Sequence, residues 1–143
     1  MKLRPQLKSF MTPFPYSIDH NSDLSRAVEL MEEHDVRHLP VTGNGGLIGV
    51  ITDRDINAAW SVVDGVEKDK LKVKDVYVSD AYIANLNEPL DNVLITMAER
   101  HIDSVLVTRK GKLVGVFTHT DACRSFGEYI RRRLPFGSGG DAA

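Results

Sequence analysis

The feature that most constrains this chain is an internal repeat. "LIGVITDRDI" (Leu47 to Ile56) returns as "LVGVFTHTDA" (Leu113 to Ala122), an offset of 66 residues. Without a gap, the same offset lays Tyr16 on Tyr82, Asn21 on Asn87, Leu24 on Leu90 and Met31 on Met97. It continues through Val41 on Val107, Gly45 on Gly111, Gly49 on Gly115, Thr52 on Thr118 and Asp55 on Asp121. A tandem duplication of one supersecondary unit explains such colinearity.

Each copy predicts the order β-α-β-β-α. A short extended segment ("PYSI", "AYIA") precedes an amphipathic helix with Leu24, Ala27, Val28 and Met31, or Leu90, Val93, Leu94 and Met97, along one stripe. Asn21 or Ser22 is the expected cap of the first helix and Asn87 of the second, with Pro89 just inside. Two strands follow ("RHLPVT" and "SVLVTR" are the first of each pair), joined by Gly-bearing turns ("GNGG", "KGK") into a hairpin. A last helix begins after the Thr. One such unit buries too little surface to stand alone, so two are expected to pack sheet to sheet about a pseudo-twofold axis. The expected division is residues 9–62, a polar connector at 63–75, residues 76–131, and a Gly-rich tail at 132–143.

Composition narrows the function classes. A net charge of −2 over 143 residues supplies no field for nucleic acid or an anionic membrane. Cys123 is the single cysteine, so no intrachain disulfide forms, and it is expected to pack within the last helix. No apolar run approaches the roughly 20 residues of a membrane span, and the N-terminus lacks a secretory core, so a cytoplasmic location is expected. Catalytic motifs are missing, and His20, His34, His38, His101 and His119 lack metal-ligand spacing; catalysis and a metal are not expected.

The repeated Thr-x-x-Asp admits two readings. It matches a capping box, in which the hydroxyl and the acid three positions on satisfy backbone N–H groups at a helix start. The same junction also presents a positive helix end and a carboxylate able to accept bonds from a ribose diol, with Gly49 or Gly115 allowing close approach.

The duplicated β-α-β-β-α unit with "GVITDRD" and "GVFTHTD" resembles the cystathionine β-synthase (CBS) domain pair, or Bateman module, over about Ser9 to Ile130. The resemblance implies an α/β (α+β) fold of tandem repeats and an adenosyl ligand between the halves: AMP, ADP, ATP or S-adenosylmethionine, sometimes NADH or a cyclic dinucleotide. It assigns ribose contacts to Thr52, Asp55, Thr118 and Asp121. Phosphate contacts fall on Arg37 and His38, whose counterparts are Asp103 and Ser104; an acid there repels phosphate, so one site should hold a phosphorylated nucleotide better. Arg54 lies between Thr52 and Asp55, where the second copy has His119 and Thr120. Base contacts fall on Pro15, Tyr16, Ser17 and Ile18 in one half and on Ala81, Tyr82 and Ile83 in the other.

Plainer readings stand beside these. Arg37 and His38 also suit a solvated strand start, Tyr16 and Tyr82 the core edge, and Met31 and Met97 the core itself. The sequence leaves open which ribose motif faces Arg37. The family further implies a homodimer and a protein target, here unknown; Trp60, Val62 and Val63 are interface candidates or core. Arg131 to Arg133 form either a solvated helix end or a docking segment for an anionic partner. The implied function is regulatory nucleotide sensing without chemistry. A structural or protein-interaction module with empty clefts is the alternative, and nucleic-acid binding a weaker third.

Overall fold

The computed structural model describes residues 4–133. Its elements are β1 (Thr12–Pro13), β2 (Ile18–Asp19), α1 (Leu24–His34), β3 (His38–Gly43), β4 (Gly46–Thr52), α2 (Asp53–Ser61), α3 (Gly65–Lys70), β5 (Ile83–Asn85), α4 (Leu90–Arg100), β6 (Ser104–Arg109), β7 (Lys112–Thr118) and α5 (His119–Arg133). Two sheets form, β2-β3-β4 and β1-β7-β6-β5, giving the expected α+β repeat architecture.

The halves are built alike because their sequences are. Strand β2 runs parallel to β3, as β5 does to β6, and each hairpin pairs antiparallel with a register shift at the same repeat position, Val41/Thr42 and Val107/Thr108. Both hairpin loops are two residues with positive φ, Asn44-Gly45 and Lys110-Gly111, the combination that matches strand twist. Helix α1 buries Leu24, Ala27 and Met31, and α4 buries Leu90, Val93 and Met97. Leu94 departs from the predicted stripe and is exposed. The predicted caps also differ. Asp23 and Pro89 occupy the N-cap positions without side-chain cap bonds. Asn21 and Asn87 instead donate their N–H groups to Asp19 and Asn85 carboxyl and amide oxygens, 2.8 Å each, which tightens the preceding turns.

The halves meet through a small apolar seam of Val50, Leu106 and Val116, backed by Leu47, Ala81 and Leu113. They also exchange their leading segments. Leu7, fully buried, joins the second-half core around Val93, Val105 and Phe117, and β1 pairs with β7. Its repeat counterpart Val73, also fully buried, joins the first-half core around Leu39, Ile51 and Ile56, and Val78 bridges to Val50. The stretch read as a polar connector therefore carries α3 and, at Val73, a core residue. Burying such side chains is worth about 1.5–3 kcal/mol each, so each exchanged segment is an anchor.

That exchange explains the motif glycines. A Cβ on Gly49 would collide with the Val78 carbonyl and the Tyr77 ring, and one on Gly115 with Met11 and the Thr12 carbonyl. The close approach is made by the chain's own exchanged segment. Trp60 packs against the first-half core, whereas Val62 is exposed. Cys123 lies exposed on α5, contrary to expectation. Arg131 to Arg133 belong to the last turn of α5, where cations suit the helix dipole; the tail from 134 lies outside the described residues.

Candidate functional site

Two clefts between the halves follow the repeat symmetry. The first, about 810 Å³, gathers Thr12 to Tyr16 and Val36 to His38 from the first half with Thr118 to Asp121 from the second. The second, about 390 Å³, gathers Val78, Asp80 to Tyr82 and Ile102 to Ser104 with Thr52, Arg54 and Asp55. Both volumes are of ligand-site size. The pairing left open by the sequence thus has an answer: Arg37 and His38 share a cleft with Thr118 and Asp121, while Asp103 and Ser104 share one with Thr52 and Asp55.

The Thr-x-x-Asp residues both tie down the helix starts and line the clefts. In the first half Thr52 caps α2: its Oγ1 accepts from the Asp55 N–H at 3.2 Å, and its own N–H donates to Asp55 Oδ2 at 3.0 Å. The Thr52 hydroxyl lies 2.8 Å from the same Oδ2. All of Asp55's side-chain bonds go to Oδ2, so capping leaves Oδ1 open to a ligand. In the second half the Thr118 N–H donates to Asp121 Oδ2 at 3.0 Å. Here the other oxygen is engaged: Oδ1 accepts from Thr12 Oγ1 and from Arg124, both at 3.1 Å, and Asp121 is only 5% exposed. The repeat counterparts of Thr12 and Arg124 are Val78 and Ala58, whose side chains cannot donate, so the difference lies in the exchanged segment and in the last helix.

Charges divide the clefts further. Arg37, 77% exposed at its side chain, pairs with Asp53 at 3.1 Å. His38 is largely buried with its Nε2 3.4 Å from Asp103 Oδ1, a close polar contact outside hydrogen-bond geometry. Arg54 in the second cleft donates to Asp103 Oδ2. The tyrosines are held differently as well. Tyr16 stacks on His34 with ring centroids 3.5 Å apart and 11° between planes. Tyr82 lies beneath Arg100, the repeat counterpart of His34, with the guanidinium 5.4 Å from the ring centroid.

Several predicted residues fall elsewhere. Ser17 and Ile18 do not line the first cleft; Ile18 is core, paired with Val41 in the sheet. Ile83 is exposed outside the second cleft. Pro15, Tyr16 and His119 line the first, and Ala81, Tyr82 and Arg54 the second. Sequence reasoning missed Thr12, Phe14, His34 and Arg124 in the first cleft and Asp80 in the second. Extending the 66-residue offset upstream would have aligned Leu7 with Val73 and Thr12 with Val78, the signal for the exchanged segments. Phe14 is 90% exposed at the cleft rim with φ of 51°, a backbone state its own sequence does not announce.

Duplicated α+β units clasped by exchanged segments, with paired clefts between them, define a tandem-repeat module. The CBS domain model matches residues 7–61 and 73–128, so the chain belongs to the CBS domain family. Such pairs are generally regulatory, non-catalytic modules. The crystal structure of the CBS domain pair of protein MJ0100, in complex with 5′-methylthioadenosine and S-adenosyl-L-methionine, superposes with a TM-score of 0.78. It is 26% identical and covers 89% of this chain and 99% of that one. L-aspartate semialdehyde sulfurtransferase of Methanocaldococcus jannaschii is 26% identical over 85% of this chain, which spans only 23% of that enzyme's length. Hypoxic response protein 1 of Mycobacterium tuberculosis is 27% identical over 78% of each chain. Among the described residues no helix is long and apolar enough to cross a membrane.

Proposed function

We infer that the chain is a regulatory module that binds an adenosyl ligand between its halves and transmits occupancy to a protein target, without chemistry of its own. The ligand is AMP, ADP, ATP or S-adenosylmethionine, no cofactor is required, and the working unit is a cytoplasmic homodimer. The observation that carries this reading is the repeated convergence, in one cleft, of a tyrosine and a strand start from one half with Thr and Asp from the other. The ribose diol donates to the Asp carboxylate, the base lies against the tyrosine-bearing segment, and the strand-start residue meets the 5′ substituent. The first cleft favours phosphates through Arg37 and His38. In the second, Asp80 and Asp103 favour an unphosphorylated or cationic substituent. The ligands crystallised with the MJ0100 pair, a neutral thioether and a sulfonium nucleoside, suit that kind of environment. Occupancy acts only through unequal affinity for two conformations.

One observation favours a second reading, a protein-interaction module with an empty first cleft: Asp121 already has both carboxylate oxygens bonded within the chain. A thermal-shift screen of AMP, ADP, ATP, S-adenosylmethionine, NADH and cyclic di-AMP separates the two. At 100 times its dissociation constant a ligand adds about 2.7 kcal/mol of stability, a visible rise in Tm. A flat response to all six refutes nucleotide sensing. A gel shift with random DNA at low salt tests nucleic-acid binding, with no shift expected.

A further inference from the structure

Asp103 touches both clefts. It precedes β6, lines the first cleft beside His38 and lines the second beside Arg54. One carboxylate oxygen faces His38 Nε2 at 3.4 Å, and the other accepts a hydrogen bond from Arg54. Among the described residues, Arg54 is the only Lys or Arg lining the second cleft, and it does not line the first.

We propose that Asp103 couples the clefts, so that a phosphorylated nucleotide in one disfavours a phosphorylated nucleotide in the other. The proposal rests on the adenosyl reading above. A phosphate entering the second cleft has Arg54 as its one strong cation and must draw it away from Asp103. The carboxylate then faces His38 without its guanidinium partner and turns an uncompensated negative charge toward the first cleft. In the reverse direction, a phosphate engaging His38 leaves Asp103 to Arg54 and keeps the guanidinium from the second cleft. Asp103 and His38 side chains are 30% and 16% exposed, where salt screens charges less than at open surface. Linkage makes the effect equal in both directions. The pair therefore takes a second phosphorylated nucleotide less readily than the first, and the other cleft favours an uncharged or cationic nucleoside.

The test is a double-mutant cycle read by calorimetric titration of ADP. It is run in an Asp55→Ala background, which removes the ribose acceptor of the second cleft and leaves the first to report. Arg54→Gln, at an exposed position, is expected to weaken first-cleft ADP binding about fivefold although Arg54 does not line that cleft. Combined with Asp103→Asn, it is expected to change nothing, because the carboxylate that transmits the loss is gone. An Arg54→Gln effect that is absent, or equal in both backgrounds, overturns the proposal. If ADP fails to bind while 5′-methylthioadenosine binds the wild-type chain, the proposal falls and the adenosyl reading stands. Binding of neither overturns both.

Discussion

The two clefts descend from one ancestral unit yet hold opposite resources. In the first, Arg37 and His38 line the cleft, Arg37 paired with Asp53, while both oxygens of the Asp121 carboxylate are already bonded within the chain, Oδ1 to Thr12 and Arg124. In the second, Asp55 keeps one oxygen open, but the lone guanidinium is tied to Asp103. A difference of a few side chains (Thr12 against Val78, Arg37 against Asp103) thus turns symmetric scaffolding into two chemically distinct sites. A duplicated fold keeps its backbone geometry because core and turn residues are shared, and diverges where cleft residues are free to change.

Mutations of the two acids probe that comparison with the largest expected effect. Asp55→Ala or Asp121→Ala should each cost about 1.5–3 kcal/mol of adenosyl-ligand binding, the range for hydrogen bonds to charged groups. Both should also lower Tm, Asp55→Ala by breaking the capping box of α2 and Asp121→Ala by releasing Thr12 and Arg124 from a more deeply buried carboxylate. A double mutant that binds with wild-type affinity in a titration rules out the ribose role. Next come the motif glycines. Gly49→Ala should destabilise by about 1–3 kcal/mol in urea unfolding, because its new methyl meets the Val78 carbonyl, which cannot step aside. Gly115→Ala should cost less, its nearest obstacle being the pliable Met11 side chain. Equal losses would mean that the two exchanged segments are held alike.

Smaller again is Arg37→Ala. Given the exposure of Arg37 it should weaken ADP binding by about 1 kcal/mol and leave 5′-methylthioadenosine unaffected. An equal loss for both ligands removes the phosphate role. The smallest effect lies away from the clefts, where Arg4 anchors the segment leading into β1. Its hydrogen bond holds the exposed Asp91 carboxyl below its ordinary value of 3.8. A lowered folded-state value stabilises above the ordinary value and is lost as pH falls through the folded one. The slight Tm advantage of wild type over Arg4→Ala should therefore hold at neutral pH and shrink in strong acid.

The repeat, the helix stripes and the hairpins were legible because they obey local periodicity and turn chemistry. The Thr-x-x-Asp pairs were legible too, but as alternatives, since capping and cleft-lining look identical in sequence; Asp55 performs the first with one oxygen and leaves the other free. What stayed hidden depends on contacts between halves. Val73 sits in a charged run and reads as linker until its burial against the opposite half is seen. Thr12 and Arg124 reach Asp121 only through the exchanged segment and the turn of α5, and Asp103 reads as an acid in one half although its partners lie in the other. Gly49 and Gly115 signal close approach correctly, yet nothing in their neighbourhood says that the visitor is the chain itself.

A crystal structure with ADP tests the central claim most directly. The account predicts the ribose hydroxyls on the Asp121 carboxylate, with Thr12 or Arg124 displaced, and the phosphates beside Arg37 and His38. A nucleotide bound elsewhere, or absent at saturating concentration with Asp55 and Asp121 still bonded only to their own chain, contradicts it.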